Sequence, residues 1–382
     1  MPDFDLHFSP FSTDEAASYK LIELPSELVG LLENAIQSSD PLGLVIKGDP
    51  TEDAVLCTRD KTYSIRTVNL SNTLLVVTPP PDTEFNFAED AVVIRDQLNE
   101  ILELAPAVPR ISKLVGRLRG REYDETNEED DEDEEVDSDG SSRYTYTQAR
   151  EEIQASDAEL DVCLKQKRIL IIKDELRPIS PSYLNNILEL TLNVLVSESL
   201  SHSAASLDRL TSALAGDHGI SRVVSAQVLA WFGEIQAGGK WKMNEDEVIK
   251  ELGLGILREH KNDDPIEKGA FVAKWKLAVG DTFADRVSLN LLAGNYLEGR
   301  PVGRIEHEYL TYFPSSTLPT DPAARFADLF LTRTKWRVED ITPFLSDIAV
   351  NNKERDKLLL KYCRAISESG AVWYTARAQY NG

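Results

Sequence analysis

The chain is poor in cysteine, histidine and methionine, and it lacks any long apolar run. Its three cysteines, Cys57, Cys163 and Cys363, lie about a hundred or more residues apart, so no C-x-x-C pair exists. That spacing excludes a zinc framework and a disulfide scaffold, and scattered thiols fit a reducing compartment. The five histidines show no metal-ligand spacing. No apolar stretch approaches the roughly 20 residues that a membrane helix needs. The N-terminus, MPDFDLHFSPFSTDE, is acidic and carries no apolar core, so it does not read as a secretory signal.

Catalytic signatures are missing too. A nucleotide motor needs a glycine-rich phosphate cradle ending in Lys-Ser or Lys-Thr, and none occurs. Leu252-Gly253-Leu254-Gly255 lacks the third glycine and a flanking strand, and is read as a helix end with its glycine cap. No G-x-S-x-G elbow exists. His307-Glu308 begins like a zincin motif, but position 311 is Thr and no second histidine follows. With 65 acidic residues, chance carboxylate pairs are inevitable and therefore uninformative. The expectation is a chain with no catalysis and no cofactor.

What is present is length, apolar content and local charge. A chain of 382 residues with 42% hydrophobic content has room for two to four domains. The net charge of −24 is concentrated: 13 acids fall among the 18 positions from Glu122 to Asp139, leaving −11 for the rest. Like charges at this density repel and have no apolar anchors, which predicts a disordered linker over 122–143, with Ser138 a candidate phosphorylation site.

Residues 19–78 read mainly as β. Short runs at Leu42–Lys47, Ala54–Cys57, Thr62–Arg66 and Thr73–Val77 are separated by turn formers, including Asn69–Asn72. One helix, capped by Ser26, carries Leu28, Leu31, Leu32 and Ile36 on one face. Three or four short strands leave unpaired edges and bury little area. The economical solution is completion by partner strands; the alternative is a small barrel closed by its own loops. Pro79-Pro80-Pro81 ends this region. Helices are predicted over 89–104 and 110–119.

From Tyr144 helices alternate with short strands. Ser156 and Glu159 form a capping box. A hairpin is predicted from Arg168–Ile172 and Leu176–Ile179, and a helix from Pro181. Further helices are expected at 222–233, at 245–257, and at 265–279 with Pro265 in its first turn. Leu289–Leu292 is a short apolar run, and Arg304–Phe313 alternates like a strand. At the C-terminus, helices from Asp321-Pro322, after Trp336, and over 353–366 precede a strand at Ala371–Ala376. Three helices and a strand make the winged-helix arrangement.

The predicted fold class is therefore α+β: a small N-terminal β domain completed by partner strands, then a tandem array of winged-helix domains. The expected boundaries are 1–80 for the β domain, 81–121 for a helical connector, and 122–143 for the acidic linker. Winged-helix-like domains follow at 144–235, 236–314 and 315–382.

Over 320–382 the charge balance reverses, with ten Lys or Arg against eight acids. Lys353, Lys357, Lys361 and Arg364 recur at i, i+4, i+8 and i+11 on the predicted third helix, opposite Leu358, Leu359 and Tyr362. Arg333, Lys335 and Arg337 lie in the preceding turn. These seven are the candidate DNA contacts, set to meet phosphates in a salt-dependent way. No side-chain cluster signals base-specific readout. An exposed helix face is also charged simply for solubility, and Glu354 and Asp356 dilute this field.

Particular blocks now resemble a known family. STLPTDPAARFADLF (316–330), WRVEDITPFL (336–345) and KYCRA (361–365), with YKLIELP (19–25), AVLCTRDKTYSIR (54–66) and NLSNTLLVV (69–77) in the same order, are similar to the "defective in sister chromatid cohesion" family. Its members are subunits of the alternative replication factor C clamp loader. The resemblance implies two chromosome-transmission-fidelity partners: the large clamp-loader subunit, through its C-terminal tail, and a small β-rich subunit. It also implies a shared triple barrel and a winged-helix hook that engages the catalytic subunit of DNA polymerase epsilon and DNA. A nuclear role follows in sliding-clamp loading or unloading, replication and cohesion. Lys361 and Arg364 match the family's Lys-Tyr-x-Arg block, although Ala365, Ile366 and Ser367 follow where further basic residues can stand. Val55, Leu56, Cys57, Ile65, Leu75 and Val77 lie in matched strands and are the candidate partner contacts. A free-standing winged-helix transcription regulator is the alternative function.

Overall fold

The computed structural model describes residues 5–8, 19–38, 43–79, 91–127, 143–260, 264–299, 307–368 and 370–377. The predicted acidic linker falls largely outside these, as do Ser138 and Pro80-Pro81. The chain forms two compact units, residues 1–111 with 150–160, and 112–149 with 161–382. The secondary structure is α+β throughout.

Among the described residues of 1–111, the first unit forms a six-stranded sheet and one helix, with segment 150–160 added. In chain order its elements are β1 (Asp5–Phe8), β2 (Ile22–Glu23), α1 (Ser26–Ser38), β3 (Val45–Lys47), β4 (Val55–Cys57), β5 (Thr62–Thr78) and β6 (Ala91–Pro106). The strand order is β1-β6-β5-β4-β3, and β2 also pairs with β6. Two expectations are corrected. Asn69–Asn72 is not a turn; it lies inside β5, where the register with β6 shifts between Asn69 and Leu74. Residues 91–104 are strand, not helix. Leu98, Leu102 and Leu104 satisfy a two-residue period as well as a helical one. The long antiparallel pairing with β5 decides between them, because cross-strand contacts override a weak local preference. The resulting sheet is larger than the three or four short strands expected.

The second unit opens with α2 (Ser112–Arg117) and continues, after the boundary-spanning helices α3 (Tyr146–Glu152) and α4 (Asp157–Gln166), with the hairpin β7 (Ile169–Ile172) and β8 (Glu175–Pro178). One topology then occurs three times. The first repeat is α5 (Pro181–Ser197), β9 (Ala205–Ser206), α6 (Leu207–His218), α7 (Arg222–Trp231), β10 (Gly233–Gln236) and β11 (Lys240–Met243). The second is α8 (Glu245–Arg258), β12 (Ile266–Glu267), α9 (Lys268–Val279), two 3₁₀ turns, β13 (Tyr296–Gly299) and β14 (Tyr309–Tyr312). The third is α10 (Pro322–Thr332), β15 (Trp336–Arg337), α11 (Val338–Ile341), α12 (Asn352–Tyr362), β16 (Cys363–Glu368) and β17 (Ala371–Ala376). In every repeat the last strand sits between the other two: β10-β11-β9, β12-β14-β13 and β15-β17-β16.

Each repeat also encloses one fully buried tryptophan whose indole N–H is spent on a backbone carbonyl. Trp241 donates to Leu229 at 2.7 Å, Trp275 to Ile249 at 2.7 Å and Trp336 to Leu329 at 3.0 Å. A buried indole without such an acceptor would lose the desolvation cost of its N–H. The first two repeats share one continuous core, while the third has its own, centred on Phe326, Trp336 and Phe344.

Local capping follows the sequence closely. Ser156 and Glu159 bond reciprocally as a capping box, at 3.2 and 3.3 Å. Asp321 caps α10 by accepting from the Ala324 N–H, with Pro322 at the first helical position. Three other expectations change. Pro265 precedes β12, and Glu267 caps α9 instead. The last helix ends at Tyr362, so Cys363–Ile366 belong to β16. Gly253 and Gly255 do not cap α8; they lie within it, and it continues to Arg258.

The reason is space. A Cβ on Gly253 would stand 2.4 Å from the Trp275 ring, and one on Gly255 would meet the Asn185 amide. Asn185 is a flexible side chain, whereas Trp275 is fixed in the core. Gly253→Ala is therefore expected to destabilise the second repeat by about 1–3 kcal/mol, the cost of overpacking. Gly216→Ala, with open space around it, should be neutral or stabilising by a few tenths. Urea midpoints of the two variants give the comparison.

Candidate partner-docking surfaces

The two ends of the sheet in the first unit differ sharply in cover. At the β4 end, both faces are closed by the chain itself. Leu56, Tyr63 and Leu104 pack against Leu28 of α1. The Tyr63 hydroxyl donates to Glu27 at 2.5 Å and Lys61 Nζ pairs with the same carboxylate at 2.7 Å. The Lys61 bond and then the Tyr63 bond hold the Glu27 carboxyl below its usual range. Segment 150–160 is stitched on by Lys47 Nζ, which donates to the Ala155 carbonyl at 2.7 Å. Thr62 Oγ1 donates to Glu159 at 2.5 Å and accepts from the Ser156 N–H at 2.9 Å.

Among the described residues, the other half of the β5–β6 hairpin has much less cover. β4 pairs with β5 only at Thr62–Ser64. Among the described residues, no strand pairs with the outer edge of β5 from Ile65 to Thr78. Among the described residues, β1 and β2 pair with β6 only at 91–94 and 102–103, and between them only Tyr19, whose N–H donates to Asp96, and Lys20, paired with Glu100, reach the strand. Apolar side chains collect on these open parts: Leu74, Leu75 (42% exposed) and Val77 (43%) on β5, and Leu6 and Phe8 (73%) on β1; at the opposite end of the sheet, beyond β4, the edge strand β3 exposes Val45 and Ile46. Unpaired edges with apolar flanks are the template for strand addition.

Against this geometry the six candidate partner residues separate. Val55, Leu56 and Cys57 are buried, at 2 to 4% exposure, and burial pushes the Cys57 thiol up. Ile65 packs beside the Leu56 cluster. These four lie on the closed half, within the chain's own packing. Leu75 and Val77 lie on the open half. Leu74 and Phe8 belong with them, and Val45 and Ile46 are exposed at the β3 edge; none of these four was singled out from sequence. Strand runs this short carry no signal of which edge stays unpaired.

The seven candidate DNA contacts also divide. Lys353, Lys357 and Lys361 are exposed on α12, opposite the buried Leu359 and Tyr362, and Arg364 continues them on β16. Lys361 lies 5.0 Å from the Tyr362 ring centre. The acids among them are engaged: Glu354 accepts from the Val350 N–H, and Asp356 pairs with Arg355 at 2.9 Å. The other three are occupied elsewhere. Arg333 donates to the Glu298 carbonyl and lies over the Trp336 ring. Lys335 pairs with Glu368 at 2.7 Å. Arg337 pairs with Glu339 and lies over Trp373.

Comparison with known proteins identifies a family. The family model described as "Sister chromatid cohesion protein Dcc1" matches residues 19–345. It ends ahead of α12 and its lysines. Sister chromatid cohesion protein DCC1 of Xenopus tropicalis is 27% identical, over 97% of this chain and 93% of its own. The Homo sapiens protein is 28% identical over 97% and 92%, and that of Saccharomyces cerevisiae 24% over 94% and 96%. With the family match covering most of its length and relatives aligning across both units, this chain belongs to the Dcc1 family of sister chromatid cohesion proteins.

Proposed function

We propose that this chain is a non-catalytic adaptor subunit of the cohesion-linked alternative replication factor C clamp loader. It joins the loader to DNA polymerase epsilon and to DNA in the nucleus, in support of clamp loading or unloading, replication and cohesion. The observation that carries the reading is the half-covered sheet of the first unit: open edges beside exposed Leu74, Leu75 and Val77. A chain with such edges aggregates or is completed, and the large and small chromosome-transmission-fidelity subunits are the expected donors of strands. The threefold helix–strand–helix–hairpin repeat, with its last strand central, supports reading the second unit as winged-helix domains.

The test is co-expression of the full chain with and without those two partner fragments. A soluble ternary complex in which the amides of 66–78 become protected from exchange supports the reading. A monodisperse monomer that ignores both fragments overturns it.

For DNA, the expected contact is the α12 face of the third repeat, binding duplex without sequence preference. Lys353→Ala with Lys357→Ala should lower the slope of log affinity against log salt by about 2, since each phosphate contact contributes about 0.9. Lys335→Ala, whose ammonium is already paired with Glu368, should change it by less than about 0.5. Strong preference for one sequence would favour a transcription regulator instead.

A further inference from the structure

A cleft of about 590 Å³ opens inside the second unit, between the hairpin of the second repeat and the start of the third. One wall is β13, and the facing wall includes Trp336, Arg337 and Asp340. Gly294, at a positive φ, packs on Pro343, and Phe313 meets Phe344 at 5.5 Å edge to face. The base of the cleft is therefore fixed by close packing.

β13 is an edge strand whose only strand partner among the described residues is β14. Its register leaves backbone groups turned toward the cleft. Phe313 N–H donates to Asn295 O, while on the far side of β14 Tyr312 N–H donates to His260 O and Lys268 N–H to Glu308 O. In an antiparallel ladder this alternation directs Tyr309 and Thr311 toward β13, opposite Gly299 and Leu297. Tyr296 and Glu298 then direct their N–H and C=O groups out of the sheet. The Glu298 carbonyl is indeed taken from outside, by the Arg333 guanidinium. Among the described residues the Tyr296 carbonyl and both N–H groups have no backbone partner and are available to a further strand.

Charge selects the occupant. Four carboxylates line the cleft: Glu298, Glu308, Glu339 and Asp340. Lys268 bridges Glu298 and Glu308 at 2.5 and 3.0 Å, and Arg337 pairs with Glu339 at 3.3 Å. Asp340 makes no salt bridge among the described residues; partial burial raises its carboxyl above the usual range, against the opposing pull of Arg333 and Arg337, which also line the cleft. An anionic ligand such as nucleic acid would meet these carboxylates. A cation would complete the set.

We propose that this cleft binds an extended peptide segment as an added strand on β13, with a lysine or arginine of the peptide seated on Asp340. The reading does not depend on the adaptor role or on the sheet of the first unit.

The test uses the full chain and a fluorescein-labelled, acetylated and amidated pentapeptide of alternating valine and lysine, followed by anisotropy. Saturable binding should weaken about fivefold in Asp340→Asn, the scale of one exposed ion pair. A probe N-methylated at alternate amides should bind about tenfold more weakly, the scale of two lost hydrogen bonds. Hydrogen exchange should slow at Tyr296 and Glu298. The proposal is overturned by no saturation at millimolar probe, by equal binding of the N-methylated probe, or by displacement of the probe by a single-stranded oligonucleotide with no loss in Asp340→Asn.

Discussion

Replacing Arg325 with methionine is expected to destabilise the third repeat by about 3–5 kcal/mol, the scale of breaking a buried charge network. Arg325 is fully buried, at 0% exposure. Its guanidinium donates to the carbonyls of Pro319 (2.6 Å), Phe344 (2.8 Å), Leu318 (3.1 Å) and Ser315 (3.3 Å), and forks onto both oxygens of Asp347. One side chain thereby ties α10 to the loop before it and to the turn after α11. Methionine fills similar space but leaves four carbonyls with a lost donor. Arg325→Lys keeps the charge yet has three donors and no planar fork, so it should recover less than half of the loss. Urea unfolding with exchange at residues 315–319 and 344–347 reads both variants. Full recovery by lysine would show that charge, not the fork, holds the loop.

Leu75→Asp combined with Val77→Asp is expected to weaken association with partner fragments at least about 30-fold, a loss of about 2 kcal/mol typical of interface anchors. Both side chains are more than a third exposed in the isolated chain, so its own melting temperature should fall by no more than a degree or two. That separation of effects distinguishes an interface from a core. Leu56→Asp, at a position 4% exposed and packed on Leu28 and Tyr63, should instead unfold the first unit. If Leu75→Asp with Val77→Asp leaves partner affinity unchanged, strand addition occurs at another edge, and β3, with Val45 and Ile46, is the next to test.

These variants also show where residue patterns carry information and where they do not. Where caps and turns read correctly they are local: Ser156 with Glu159, Asp321 with Pro322, and the hairpin of β7 and β8 each involve neighbours a few residues apart, whereas the Asn69–Asn72 turn and the Gly253–Gly255 cap were overridden by β5–β6 pairing and by Trp275. The basic face of α12 was legible for the same reason, since i, i+4 spacing places Lys353, Lys357 and Lys361 together on any helix. Arg333 was not, because its partner Glu298 lies 35 residues away. Arg325 left no mark either. A lone arginine amid Ala324 and Phe326 resembles any surface cation until the chain closes around it.

By itself, then, the sequence determined the α+β class, the family, and the reversal of charge toward the C-terminus. Composition and short-range spacing suffice for those. Tertiary structure decided the rest through contacts between distant segments. It made β6 a strand by pairing it with β5, and it placed Gly253 inside α8 to admit Trp275. It also buried Val55, Leu56 and Cys57 while leaving Leu75 and Val77 bare. All five had looked alike in sequence, as apolar residues of short strands. Which ones face outward depends on how far α1 and segment 150–160 reach across the sheet, and that reach is a property of the packed unit alone.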